Sequence, residues 1–131
     1  MRVKLILCLT LFQLFLCAGQ LKHKSKPVLL EVGSFKTQQN GETLSFEGHI
    51  RNVGDVSVGR VTLTFVLLGD GGKELSRHSG ALDQEELAPG MEAAFAFEMP
   101  WNPDAVAVQI EAKGPHKVEI QLSGAGPHRI E

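Results

Sequence analysis

Apolar and polar residues alternate along most of the chain after residue 28. Between residues 44 and 51, the even positions are apolar or glycine and the odd positions are polar or charged. Segments 61–67, 93–98, 106–110 and 118–122 also carry an apolar residue at every second position. A period of two is typical of a β-strand with one buried face, and no long helical repeat runs without a glycine or proline. The chain after residue 28 is therefore predicted to be all-β.

Turn-forming sequences separate these segments, among them Asn40-Gly41, Pro89-Gly90 and Gly114-Pro115. A first strand is expected near Val28–Lys36 and a weaker one near Glu74–Ser79, which brings the total to about seven. That number of short strands predicts an immunoglobulin-like or fibronectin-III-like β-sandwich, with a small barrel as the alternative. Pro89-Gly90 is expected to form a type II turn in which Gly90 has a positive φ.

The N-terminus has the pattern of a signal peptide. Arg2 and Lys4 precede an apolar run over residues 5–16, which is shorter than the roughly 20 residues that a membrane-spanning helix needs. We expect cleavage after Gly19, so residues 1–19 are predicted to be the signal peptide and residues 20–27 a short basic leader. Residues 28–123 form the predicted sandwich domain, and the glycine-containing tail, residues 124–131, is expected to fray.

Both cysteines of the chain, Cys8 and Cys17, lie in the predicted signal peptide. The mature chain should then contain no disulfide, and its location is expected to be extracytoplasmic, either periplasmic or secreted. Contact with a membrane would be transient, through the signal peptide alone. In the alternative, Cys17 carries a lipid that anchors the chain.

Composition and charge argue against several classes of function. The formal net charge is −2, and no basic cluster is interleaved with aromatic residues, so nucleic acid is not an expected partner. No serine lies in a nucleophile-elbow motif, the five histidines lack metal-ligand spacing, and phosphate-binding fingerprints are missing. We therefore predict no catalytic residue, no cofactor and no metal ion, and we expect that the chain is not an enzyme.

Residues 48–97 resemble the FxLYD domain family of bacterial secreted sandwich modules. Residues 48–52 look like its G-x-V-x-N strand, residues 65–69 lie where the motif that names the family would be, and residues 87–90 are similar to its L-x-P-G turn. Leu68 and Gly69 replace the family's tyrosine and aspartate. The resemblance implies an extracytoplasmic module without common catalytic residues.

One outward surface is predicted to be unusually apolar. If the strand ending at Leu68 pairs antiparallel with the strand that begins near Ala105, then Leu68 lies level with Ala105 and Val66 with Ala107, and all four point outward. Trp101, in the preceding loop, either covers this patch or serves as the aromatic anchor of a partner site.

These observations favour a non-catalytic interaction or accessory module of the cell envelope, whose partner is a protein. The alternatives are a lipid-anchored structural spacer and a small hydrolase.

Overall fold

The computed structural model describes residues 26–130, which form two four-stranded β-sheets packed against each other. Their strands are β1 (Val28–Asn40), β2 (Thr43–Asn52), β3 (Thr62–Leu68), β4 (Glu74–Ala81), β5 (Glu92–Pro100), β6 (Ala107–Lys113), β7 (Ile120–Ser123) and β8 (His128–Arg129). The predicted signal peptide, both cysteines and the leader up to residue 25 lie outside the described residues. Within them, no helix has the length and apolar character needed to cross a membrane.

The strand order is β5-β2-β1-β7 in the first sheet and β4-β3-β6-β8 in the second. Strands β1, β2 and β5 share the first sheet, and strands β3, β4 and β6 share the second. The predicted β-sandwich is confirmed. Eight strands replace the expected seven because the last part of the chain is divided between the sheets: β7 runs parallel to β1, and β8 runs antiparallel to β6.

The core contains the apolar positions that the alternation predicts. The inward side chains of β2 and β3 are almost completely buried, and the Phe46 and Phe65 rings stack across the two sheets with centroids 4.7 Å apart. Phe35, Phe95 and Phe97 surround this pair. The aromatic cluster joins the sheets without any disulfide in the described part of the chain, and each of these rings buries a large apolar area.

The C-terminal tail does not fray, contrary to the expectation for residues 124–131. The Ile110 N–H donates to the Ala125 carbonyl (2.9 Å), and the Ile130 N–H donates to the Val106 carbonyl (3.0 Å). Gly124 and Gly126 adopt positive φ angles of 75° and 98°, which turn the chain back along β6. The glycines that suggested disorder therefore place the tail in the second sheet; residue 131 itself lies outside the described part.

Asn52, at the end of β2, joins three segments at one end of the sandwich. It is fully buried, and its Nδ2 donates to the carbonyls of Val56 (2.8 Å) and Leu87 (2.9 Å). Its Oδ1 accepts from the Gly54 N–H (3.0 Å), and its backbone carbonyl accepts from the Gly90 N–H (2.8 Å). One side chain thus fixes the loop after β2 and the connection that leads into β5.

Asn52→Ala should lower the free energy of unfolding by about 3 kcal/mol, because the buried Leu87 carbonyl and two partly buried groups, the Val56 carbonyl and the Gly54 N–H, lose their partners. Asn40→Ala is the matched control, since Asn40 is exposed and should change stability by less than about 0.5 kcal/mol. Urea unfolding of both variants measures the difference. Equal losses would show that the hydrogen bonds of Asn52 contribute nothing specific.

Gly90 occupies the turn position that was predicted for it, with φ of 85°, and the Met91 N–H donates to the Ala88 carbonyl (2.9 Å). Gly90→Ala should cost about 1 kcal/mol from backbone strain alone, because no atom lies within 4 Å of the position a Cβ would take. The control is Gly33→Ala, where there is equally open space but no positive φ. A Gly90→Ala variant as stable as the Gly33→Ala variant would contradict the strain argument.

Candidate functional site

The predicted partner surface is only partly assembled in the structure. β3 and β6 pair antiparallel as expected, but Leu68 lies opposite Ala107 and Val66 opposite Gln109, a shift of two residues from the predicted register. The cause is the turn before β6, in which the Ala105 N–H donates to the Asn102 carbonyl (3.0 Å) and keeps Ala105 out of the strand. Leu68 and Ala107 are therefore neighbours on the outer face, both half-buried.

The other predicted residues of this surface are turned inward or covered. Ala105 belongs to the core, with 7% of its surface exposed, and Trp101 is half-buried and packs against the same core. Val66 points away from the core, yet only 3% of its surface is exposed. Whether this end of the sheet binds a partner stays a prediction, but Val66 and Ala105 offer almost no area for it.

Arg77 explains the burial of Val66. It lies directly opposite Val66 on β4, and its guanidinium reaches Glu111 on β6 (Nη1 to Oε1, 3.4 Å). Since β3 lies between β4 and β6, this ion pair crosses the outer face of β3. The same guanidinium donates to both oxygens of Glu74 (2.9 and 2.8 Å), and these hydrogen bonds hold the pKa of the Glu74 carboxyl below its ordinary value.

Val66→Lys should destabilise the fold by about 2 kcal/mol or more. The substitution would replace the buried methyl groups of Val66 with a charged ammonium group, directly beneath the guanidinium of Arg77. Val106→Lys is the matched control: Val106 is 41% exposed, so the same substitution should cost little. Thermal unfolding of both variants tests this. If Val66→Lys keeps the wild-type Tm, Val66 is accessible and the predicted partner surface regains its central residue.

The described residues assemble no cluster of metal ligands. No three His, Cys, Asp or Glu side chains in them converge as metal ligands would. His49 lies on the outer face of β2, as its alternation predicts, and its Nε2 is 3.9 Å from Glu92 Oε1, with both side chains about half exposed. That distance is too long for a hydrogen bond.

The two long sides of the sandwich differ in how their sheet edges end. On one side, β7 and β8 are consecutive in the chain and connect the sheets. On the other side, β4 and β5 are both end strands, and the Phe97 ring closes the gap between them by packing against Gly80. A Cβ at Gly80 would clash with that ring, so glycine is required for this contact. On this side, the outer edges of β4 and β5 pair with no other strand in the described part of the chain.

The edges of β4 and β5 are protected to different degrees. β4 carries Arg77 and His78 and has a register irregularity near Leu68, which are common means of preventing another strand from pairing. The nine residues of β5 pair with β2 without a register shift, and they include no lysine or arginine. Only its last residue is proline. β5 is therefore the less protected edge.

The outward residues of β5 are two alanines flanked by two acids. Glu92, Ala94, Ala96 and Glu98 are all exposed. The Met91 carbonyl accepts from the Asn52 backbone N–H, and the Trp101 N–H donates to the Glu42 backbone carbonyl. The odd-numbered residues therefore direct their backbone groups toward β2. By the antiparallel alternation, the even-numbered residues direct theirs away from the sheet. Among the described residues, no strand pairs with that edge.

A depression of about 630 Å³ borders β5 on this side of the molecule. Its walls come from β1, β2 and β5 and from Ala81–Asp83, the residues at and just after the end of β4. Glu47 and Asp83 line it, together with Lys36 and His49. In the described part of the chain, Glu47, Asp83 and Glu98 have no basic side chain within 4.0 Å. The surface beside β5 thus carries more acidic than basic side chains. Lys36 lies directly opposite Glu47 and Arg51 directly opposite Glu92, while Asp83 and Glu98 are available to a ligand.

Sequence reasoning did not single out this site. The alternation identified β5 as a strand and Glu92 and Glu98 as outward residues, but it could not show that β5 ends a sheet. The sequence does contain one signal for an edge strand. Two alanines lie between two acids at the outward positions of this strand, and it has no lysine.

Comparison with known proteins supports the fold. IrmA from Escherichia coli superimposes with a TM-score of 0.50 at 13% identity, covering 82% of this chain and 99% of IrmA. The ApaA protein from Bordetella pertussis gives 0.46 at 15% identity, covering 72% of this chain and 87% of ApaA. β-Glucosidase 3B from Thermotoga neapolitana gives 0.44 at 16% identity over 70% of this chain, but only 15% of the glucosidase.

At 13% identity, the likeness to IrmA shows a shared sandwich fold and says nothing of activity. No protein-family model and no curated protein matches the chain.

Proposed function

We propose that this chain is a secreted or periplasmic module that acts by contacting a protein partner of the cell envelope, without catalysis. Export is supported by the basic and apolar pattern of residues 1–19. The resemblance of residues 48–97 to the FxLYD family supports the same location and role. As part of this proposal, we assign the chain to the FxLYD family.

The observation that carries the proposal is the exposed edge of β5 with its acidic depression. Small side chains at Ala94 and Ala96 let another molecule approach the backbone closely, and the flanking acids provide charge for recognition. The depression is open to solvent, and its titratable side chains are on the surface. Such a site favours contact with a macromolecule over the enclosed, desolvated geometry that an enzyme uses.

Site-specific photo-crosslinking tests the contact. The full chain is expressed in its native cell with benzoylphenylalanine in place of Ala96, and covalent adducts are identified by mass spectrometry. We expect one envelope protein to be captured on irradiation. Gln121 of β7, which is exposed on the opposite side of the sandwich, is the matched control position.

Equal capture at both positions, or none at either, would contradict a partner site at β5. Fractionation of the same cells tests the location: a chain that stays in the cytoplasm with Met1–Leu16 attached would contradict export.

A further inference from the structure

The free edge of β5 presents a regular set of backbone hydrogen-bonding groups. Glu92, Ala94, Ala96 and Glu98 direct their N–H and C=O groups away from β2, as the partners of Met91 and Trp101 establish. In constant-type immunoglobulin domains, the corresponding strand is flanked by a further strand of the same sheet. Here residues 82–91, which could have supplied such a strand, pass instead to the end of the molecule where Asn52 and Val58 hold Leu87.

The charge beside this edge limits what can occupy it. Glu92 and Glu98 end the exposed row of β5, six residues apart, and Asp83 lies across the depression. A second copy of this chain is disfavoured, because two-fold antiparallel pairing centred on Phe95 would place Glu92 of one copy opposite Glu98 of the other. Basic side chains on an incoming strand would instead face acids at both ends of the row.

The other face of an incoming strand would meet apolar surface. Phe97 is only partly buried where it closes the gap toward Gly80, and Phe95 lines the depression. In the incoming strand, every second residue would face solvent and be basic or small. The residues between them would be apolar, as in any strand with one buried face.

We propose that β5 is a strand-addition site that accepts an extended segment of a partner protein, with basic residues at the ends of its outward row and apolar residues on its inward row. Backbone hydrogen bonds to the even-numbered residues of β5 supply affinity, and the acids supply selectivity. This inference rests on the proposed function, because it specifies how the chain contacts its partner.

The test uses the synthetic peptide Lys-Val-Thr-Val-Thr-Val-Lys, acetylated and amidated, and the purified mature chain. The lysines match the spacing of Glu92 and Glu98, and the two threonines face Ala94 and Ala96. Calorimetry should show saturable binding that weakens as salt is raised. Replacing both lysines by glutamate should abolish it.

Two N-methylated peptides separate strand addition from simple charge attraction. If the peptide adds antiparallel to β5, methylating both threonine nitrogens removes the two central N–H groups that would donate to β5, and we expect at least a tenfold loss of affinity. Methylating the first and last valine nitrogens leaves charge and size alike but changes only the N–H groups that face solvent, so affinity should be retained.

Variants of the chain locate the binding site. Ala94→Pro removes an outward N–H from β5 without removing a hydrogen bond to β2, and it should abolish binding. Glu98→Lys should weaken binding by about threefold or more, whereas Glu119→Lys, the same charge change at an exposed residue remote from β5, should not. Circular dichroism checks folding, and Glu98→Lys remains informative if Ala94→Pro does not fold.

Several results would overturn the inference: no binding of the lysine peptide, equal binding of both methylated peptides, or equal binding of the glutamate peptide. A concentration-dependent dimer that Ala94→Pro dissociates would make a second copy the occupant and also overturn it. If photo-crosslinking captures a partner at Ala96 while the peptides fail, the proposed function stands and strand addition falls. If the peptides bind and no partner is captured, the edge chemistry stands and the cellular role falls.

Discussion

The buried side chain of Asn52 is the constraint on which the arrangement at one end of the sandwich depends. Its amide satisfies two carbonyls and one N–H that would otherwise lack partners, on Val56, Leu87 and Gly54. A shorter or apolar residue would leave the buried Leu87 carbonyl and two partly buried groups without these partners, so the penalty is larger than the net value of the bonds. Because Leu87 precedes β5 by only a few residues, fixing its carbonyl also fixes where β5 can begin.

The aromatic core and the divided last strand give the sandwich two unlike sides. The stacked pair Phe46 and Phe65 holds the sheets together at their centre. The chain closes one side by placing β7 beside β1 and β8 beside β6. On the other side, the Phe97 ring packs against Gly80, and no strand among the described residues pairs with the outer edge of β5.

Much of the fold could be predicted from local pattern, because a period of two reports which face of a strand is buried. The buried faces of β2 and β3 and the positive φ of Gly90 follow from residues close together in the chain. The register of β3 against β6 could not be predicted, since it depends on the hydrogen bond that holds Ala105 in a turn. The burial of Val66 was also out of reach, because Arg77 and Glu111, which cover it, are 34 residues apart. Glycines in the tail looked like disorder only because their strand partner, β6, is not a sequence neighbour.

The position of Asn52 also accounts for the exposed edge that forms the candidate site. Residues 82–91 leave β4 at Ala81, and the Leu82 N–H donates at once to the Val61 carbonyl. Val58 and Leu87 then exchange two backbone hydrogen bonds. The Asn52 side chain donates to the Leu87 carbonyl, and the Gly90 N–H donates to the Asn52 carbonyl. Together these bonds hold the segment across the end of the sandwich. A segment tied down at these points cannot also extend along β5, so the interactions that satisfy the buried amide leave the β5 backbone without a partner from residues 82–91. Stability at one end of the molecule and availability for binding along its side thus share one physical cause.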